Sequence, residues 1–422
     1  MSDVPAARHD SFAPLRVASF RWFVVSVLAM AMGAQIQGVV VAWQIYAITH
    51  NPLSLGMVGL AEAVPFIGLA LWAGHVADSL DRRRVALVAL VVLLLCALAL
   101  AVINRPGTGL AAHGPAMRGA VYGIIVICGA ARSFLLPARN ALSADIVPRA
   151  LFPSSVAWRT GVWQIAAVTG PALGGLLYGW VGPGVAYTVA AGLMAAALVS
   201  VLQIRVVERA IRPAAVSLAT SLREGVLFIL RRRLFLGAMT LDLFAVLFGG
   251  AVAILPVFAE EILHVGPQGL GFLRTAPAIG AVVMSAALAL RPAPRRAGPM
   301  FLWAVVAFGL CMIAFAVSRW FWLSLTLLAI SGAADMLSVY VRSTLIQTRV
   351  PPSMLGRISS VNQIFIGSSN EIGAFESGVT ARLFGAEPSV MLGGFLTIVV
   401  VAVTAWWVPE LRRLDRIDAP GD

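Results

Sequence analysis

Residues 82–103 read RRRVALVALVVLLLCALALAVI, three arginines followed by an apolar run, 85–103, without a charged side chain. A helix that crosses a bilayer needs about 20 apolar residues, so this run is long enough to span. The arginines stand where such a segment would emerge. Apolar runs and short polar breaks alternate along all 422 residues, which are 60% hydrophobic and 12% charged, with a mean hydropathy of +0.90. Soluble domains carry about 25% charged residues. This chain has too little polar surface to face water, and no large soluble domain fits beside its spans.

The runs lie near 22–46, 54–76, 85–103, 119–142, 155–180 and 184–204, then near 234–258, 268–290, 299–317, 320–345, 358–384 and 389–408. Backbone groups in hydrocarbon must be satisfied within their own segment, and the alternation of barrel strands is absent, so the runs are expected to be helices. The expected fold class is an all-α integral membrane protein with twelve transmembrane helices. All 31 basic residues are arginine, and the net charge is +12. In a soluble chain that excess would suggest nucleic acid. Here the arginines lie between apolar runs and report orientation, so no nucleic-acid partner is expected. With the N-terminus in the cytoplasm, 22 arginines fall on that side and four, Arg105, Arg118, Arg319 and Arg382, on the other. Both termini are therefore expected to be cytoplasmic. Asp3, Arg8, Asp10 and Arg16 argue against a cleaved leader.

Cys96, Cys128 and Cys311 lie in apolar runs and read as small core residues. No metal constellation, phosphate-cradling loop or nucleophile elbow is visible, so no metal, cofactor or enzymatic activity is expected. The stretch 205–233 mixes arginines with apolar residues and reads as a cytoplasmic linker with an interfacial amphipathic helix. It divides the chain into a six-helix bundle over 1–204, the linker 205–233, and a second bundle with a tail over 234–422.

The two parts repeat each other. Shifted by 212 positions, Gly38 falls on Gly250, Gly59 on Gly271, Pro65 on Pro277 and Gly68 on Gly280, and Arg83 and Arg84 on Arg295 and Arg296. Shifted by 203, Gly129 meets Gly332, Arg139 meets Arg342, Pro148 meets Pro351, and Gly170 and Gly175 meet Gly373 and Gly378. Two bundles related by an axis along the membrane normal would enclose a cavity near the midplane, the layout for alternating access. The halves also differ, because Glu62 aligns with Arg274 and Arg132 with Asp335.

Gly74, Asp78, Arg82 and Arg83 form a charged turn after the second run. The spacing resembles the loop signature of the major facilitator superfamily, with Asp81 where that pattern has its second glycine. The resemblance implies that Asp78 and the arginines lock the halves together in the outward-facing state. In the fifth run, Gly170, Pro171, Gly174 and Gly175 resemble the superfamily's antiporter signature and favour export over uptake. Stretches from Pro137 and from Ser368 resemble the bacterial branch of enterobactin exporters and macrolide efflux proteins, the drug:proton antiporters.

Ionisable groups at membrane depth cost about 2.5–3.5 kcal/mol each on insertion scales, so each needs a partner or a wet cavity. Glu62, Arg132, Asp242, Arg274, Asp335, Glu371 and Glu376 are the deepest, while Arg139, Arg159 and Arg342 lie nearer the ends and read as structural. A carboxyl held away from water keeps its proton more tightly and can exchange it as access alternates. Glu62, Asp242 and Asp335 are the leading proton carriers. The competing reading pairs Glu62 with Arg274 and Asp335 with Arg132. Glu371 and Glu376 point to different helix faces, so at most one faces the cavity. Gln35, Gln37 and Gln44 could orient cargo, and Trp43, Phe134, Phe244 and Phe248 could wall its path.

The expected function is proton-coupled export of small amphipathic molecules by a multi-pass protein of the bacterial inner membrane, acting as a monomer. Its partners are a small-molecule substrate, protons and the lipid bilayer. Uptake by symport is the first alternative, and a transport-inactive scaffold or sensor the second.

Overall fold

The computed structural model describes residues 10, 12–105, 114–205, 218–249, 251–290 and 295–415. Helices α1 (Ala18–Thr49), α2 (Pro52–Ser79), α3 (Arg82–Ile103), α4 (Gly114–Ile146) and α5 (Phe152–Leu202) build the first half. Two of their starts are set by side chains. Asn51 caps α2 by accepting from the Leu53 amide at 3.1 Å, with Pro52 as first helical residue. Asp81 caps α3 by accepting from the amides of Arg83 and Arg84 at 2.9 and 3.2 Å. That task accounts for an acid where the superfamily pattern carries glycine.

The 51-residue α5 contains two of the expected spans. Gly182, at φ 82° and ψ 172°, leaves the helical region between them, a backbone position open to glycine and followed by Pro183. Helix α6 (Leu218–Arg231) lies within the stretch 205–233 read from sequence as a linker. The expected seventh span is interrupted. Helix α7 (Arg233–Phe248) stops at Gly249, and short turns follow, with α8 (Leu255–Val257) running into a π-helical turn, Phe258–Ile262. Then come α9 (Gly266–Ala289), α10 (Ala297–Val317), α11 (Phe321–Arg349), α12 (Pro352–Phe384), α13 (Ala386–Trp407) and the short α14 (Pro409–Arg412). Among the described residues, ten stretches are long and apolar enough to cross a membrane. Twelve crossings require α5 to supply two and α12 to supply one. Helix α12 has the length, 33 residues, but carries Arg357, Glu371, Glu376 and Arg382.

One core joins Phe20, Phe23, Leu90, Leu93, Leu142 and Met194 of the first half, and another joins Phe235, Phe301, Leu345, Val401 and Leu411 of the second. The repeat seen in the sequence recurs as packing. Gly129 of α4 lies against the Glu62 carbonyl and Pro65 of α2, and Gly332 of α11 against Pro277 of α9. Between the halves, a Cβ at Gly175 would lie 2.8 Å from Gly271 Cα, and one at Gly378 would lie 2.8 Å from Gly56 Cα. Small residues permit this close backbone approach. The two seams join equivalent helices under the repeat, Gly56 standing one turn from Gly59, the image of Gly271, so the fold is a pair of pseudo-symmetric helical bundles.

The helix ends form two opposed faces. One carries Arg82–Arg84, Arg231–Arg233, Arg295, Arg296, Arg412 and Arg413, and is called the arginine-rich end here. The other carries His50, Gly182, the π-helical turn, Arg319 and Gly385, and is called the far end.

Candidate functional site

A cavity of about 600 Å³ lies between the halves. Helix α1 contributes Gln35 and Gln37 to its wall, α2 Glu62, α4 Cys128 and Arg132, α9 Arg274, α11 Ser331 and Asp335, and α12 Asn370 and Glu371. Five of the seven deepest ionisable residues therefore meet on one surface. Arg132 donates to Glu62 in an ion pair whose side chains are 33% and 25% exposed, so the pair is wetted by the cavity. The repeat alone sets Glu62 opposite Arg274 and Arg132 opposite Asp335. The contact of α2 with α4 at Gly129 decides otherwise, because Arg132 follows one helical turn later and reaches Glu62 within the same half. Arg274 and Arg132 both lie in the field of Glu62 and, behind it, of Glu371. Asp335 is exposed to the cavity, and no ion pair to it occurs among the described residues.

Asp242 is a correction. The sequence makes it a proton carrier, yet it is absent from the described cavity wall and forms an ion pair with Arg342, with side chains 8% and 3% exposed. Arg342 does not snorkel to the interface but faces inward from α11 onto α7. Glu376 is also off the described wall, while Glu371 is on it. Of the glutamines, Gln37 donates to Cys128 Sγ at 3.6 Å. Gln44 donates to Asn104 at 2.6 Å and accepts from Tyr187 at 2.8 Å, so it ties helices together.

The expected aromatic wall is a second correction. Trp43 is buried edge-on against Tyr178, Phe134 packs edge-on to Trp72, and Phe244 stacks on Phe248. None of these four residues of the expected wall appears on the described lining, which takes its apolar surface from Trp163, Val246, Phe308, Met312 and Leu328. Periodicity does not reveal which way an aromatic turns, and neighbouring rings captured these.

The halves close at the far end. The Tyr46 hydroxyl of α1 donates to Glu261 in the π-helical turn, and His50 stands 3.8 Å from Glu260. The π turn sets these successive acids against the end of α1. Sequence reading missed all four, since neither a Tyr at the end of an apolar run nor a Glu pair at the next signals contact across halves. A second cavity of about 300 Å³ shares Glu62, Arg132, Asn370 and Glu371 with the first and continues past Phe66 to Arg139, toward the arginine-rich end.

The described arginines of the loop motif bond within their own half in this state. Gly74 lies within α2. Arg82 pairs with Asp145 of α4, and Arg83 donates to the carbonyls of Val201 and Leu202 at 3.2 and 2.6 Å, at the end of α5. The Asp78 side chain lies outside the described residues. In the antiporter-like segment, Gly170 rests on Gln35 and Gly174 on Ile36 of α1, while Pro171 and Gly175 meet Gly271 of α9. One face of the motif packs its own half and the other forms the seam.

Two repeated helical bundles around a charged, membrane-embedded cavity define a secondary transporter of the major facilitator type, a multi-pass membrane protein for small-molecule substrates. The chain belongs to the transmembrane secretion effector family, whose profile matches residues 9–420. Among curated relatives, it is 25% identical to the enterobactin exporter EntS of Shigella flexneri, over 96% of this chain and 93% of that one. It is also 25% identical to the multidrug efflux pump Tap of Mycolicibacterium fortuitum, over 93% and 96%. Solved structures share the fold. A POT family transporter bound to 5-aminolevulinic acid superposes with a TM-score of 0.73 at 11% identity, covering 93% of this chain and 96% of that one. A mutant form of the nucleoside transporter NupG superposes with 0.67 at 15%, covering 92% and 99%. The chain is a transporter of the efflux type and not an enzyme.

Proposed function

We propose that this protein exports small amphipathic molecules, of the drug, antibiotic or siderophore type, in exchange for protons. The observation that carries the reading is the cavity wall, where three carboxylates, Glu62, Asp335 and Glu371, meet two arginines inside the membrane-spanning bundle. A scaffold without transport has no use for acids held in a wet internal cavity at this cost. In this reading the protein sits in a bacterial inner membrane with the arginine-rich end and both termini in the cytoplasm, which the arginine bias supports. The far-end contacts and the extension toward Arg139 then correspond to a state open to the cytoplasm. The working units are the bundle 1–204, the linker 205–233 and the bundle 234–422, acting as a monomer without a nucleic-acid partner.

A carboxyl in this cavity is occupied in turn by a proton or by a charged arrangement linked to cargo, and the two halves rock between the end states. Asp335 and Glu371 lead as the exchanging groups, and Glu62 joins them through its wet pair with Arg132. Gln35, Gln37 and Asn370 orient cargo, and Phe308, Met312 and Leu328 hold its apolar part. The relatives' names, an enterobactin exporter and a multidrug pump, support export. The test uses purified protein in liposomes with an imposed pH gradient, loaded with a compound panel. Gradient-driven flux that a proton ionophore collapses, in the efflux direction, supports the reading. Flux indifferent to the ionophore and to Asp335→Asn overturns it.

A further inference from the structure

The two halves treat one arginine differently. Arg342 of α11 is neutralised by Asp242 of α7. Under the repeat, Arg139 of α4 stands where Arg342 stands, and Met30 of α1 stands where Asp242 stands. Met30 and Arg139 both line the second cavity, so this half keeps the places of the pair and lacks the acid. The Nε atoms of both arginines are buried without a hydrogen-bond partner, but Arg342 has its ion pair, and no ion pair to Arg139 occurs among the described residues. The charge acting on it is another cation, Arg159, which donates to Asn140 and Ser143 at 3.3 Å. Phe66, Leu93, Leu135 and Met194 supply apolar wall.

A guanidinium held against apolar wall calls for a counter-charge, and none is paired with Arg139 among the described residues: the carboxylates on the same wall, Glu62 and Glu371, stand by Arg132. We propose that this cavity is a binding subsite for an anionic amphiphile. Its carboxylate, sulfonate or phosphate head completes Arg139, and its apolar body lies against Met30, Phe66 and Met194. At about 300 Å³ the space suits a single ring system or one arm of a larger cargo. Because it opens into the central cavity beside Glu62 and Arg132, a molecule bound here lies on the transport path. The same chemistry is offered by a free anionic cargo and by an anionic lipid headgroup entering from the bilayer. The inference deepens the export reading and rests on it for its consequence, though the site itself is tested without a proton gradient.

The experiment is calorimetric titration of the full chain in phosphatidylcholine nanodiscs with 2-naphthoate, using uncharged 2-naphthamide as the control. Wild type should prefer the anion. Arg139→Gln should weaken naphthoate by about tenfold or more, the loss expected when one partner of a charged hydrogen-bonded pair is removed. Met30→Asp should weaken it similarly while the thermal midpoint holds or rises, since it rebuilds the pair of the other half; it serves if Arg139→Gln fails to fold. Loss of naphthoate affinity on adding phosphatidylglycerol to the nanodiscs assigns the site to a lipid headgroup, and unchanged affinity assigns it to a free anion. Wild type that binds naphthoate no better than naphthamide, or a folded Met30→Asp that binds it as tightly as wild type, overturns the proposal. Failure of proton coupling in liposomes leaves these outcomes untouched, so the two readings fall separately.

Discussion

Equivalent charges in the two halves have different company. In the first half, Glu62 and Arg132 form a direct ion pair on the cavity wall. In the second, the same two places carry Arg274 and Asp335 with the signs exchanged, and no ion pair between them occurs among the described residues. The helix crossings beneath them are alike, Gly129 on Pro65 and Gly332 on Pro277. The repeat therefore fixes where a charge stands but not whether it is neutralised. An acid whose charge is already matched by a neighbour has little reason to take a proton, whereas Asp335 faces the cavity unmatched. The pair Asp242–Arg342, sealed between helices of one half, is the opposite extreme.

The largest effect expected from breaking this contrast is on stability. Asp242→Ala leaves Arg342 buried and unmatched and should destabilise the detergent-solubilised protein by about 3–5 kcal/mol, read as a lowered unfolding midpoint and reduced yield. Replacing both partners with leucine should restore most of the loss, because burying two apolar side chains removes the desolvation cost of both charges. An Asp242→Ala protein of normal stability that fails only in proton coupling would return Asp242 to the list of carriers. Asp335→Asn should do the reverse. Its unfolding free energy should stay within about 0.5 kcal/mol, as for an exposed position, while transport against a gradient is lost and downhill exchange persists. A liposome assay with and without a pH gradient separates the two.

Most span positions, a helix between the two sets of spans and the repeat were legible because hydropathy and glycine spacing are properties of the chain itself. Glycines at 59, 129, 175, 271, 332 and 378 mark close approaches that the structure realises. The site was legible only in part. Glu62, Arg132, Arg274, Asp335 and Glu371 reach one cavity, but Asp242 turns away by the rotation of α7, which an apolar run does not encode. The partner of Glu62 depended on the α2–α4 crossing. The interruption of the seventh span and its π-helical turn left no periodic trace, so the far-end contact of α1 with Glu260 and Glu261 was invisible. Met30 gains meaning only once Arg139 is set beside Arg342.

Comparing the two seams sharpens the symmetry of the fold. Gly175→Leu would drive a side chain into the Gly271 backbone, and Gly378→Leu into that of Gly56. Each should disfavour closure of the far end by about 1–3 kcal/mol, the usual cost of overpacking. If the seams are equivalent, both variants should slow transport and shift the protein toward a state open at that end. A cysteine placed at Ala42 on the cavity wall and alkylated by a membrane-impermeant maleimide added from the far side should then react faster in both backgrounds. Acceleration in one alone would show that the halves separate unequally.

The smallest effect should come from the polar contact at the same end. Tyr46→Phe removes the hydroxyl that donates to Glu261 and keeps the ring in its core of Ile254, Leu255 and Phe258. Glu261 is solvent-exposed, so the hydrogen bond contributes about 1 kcal/mol, roughly fivefold in the ratio of closed to open protein. Alkylation at Ala42→Cys should rise by that factor, Glu261→Gln should give a similar rise, and His50→Ala should give less, because its side chain is 63% exposed and stands 3.8 Å from Glu260. The order follows from burial and distance alone. A His50→Ala effect larger than that of Tyr46→Phe would mean that the ion pair, and not the phenol, holds the far end shut.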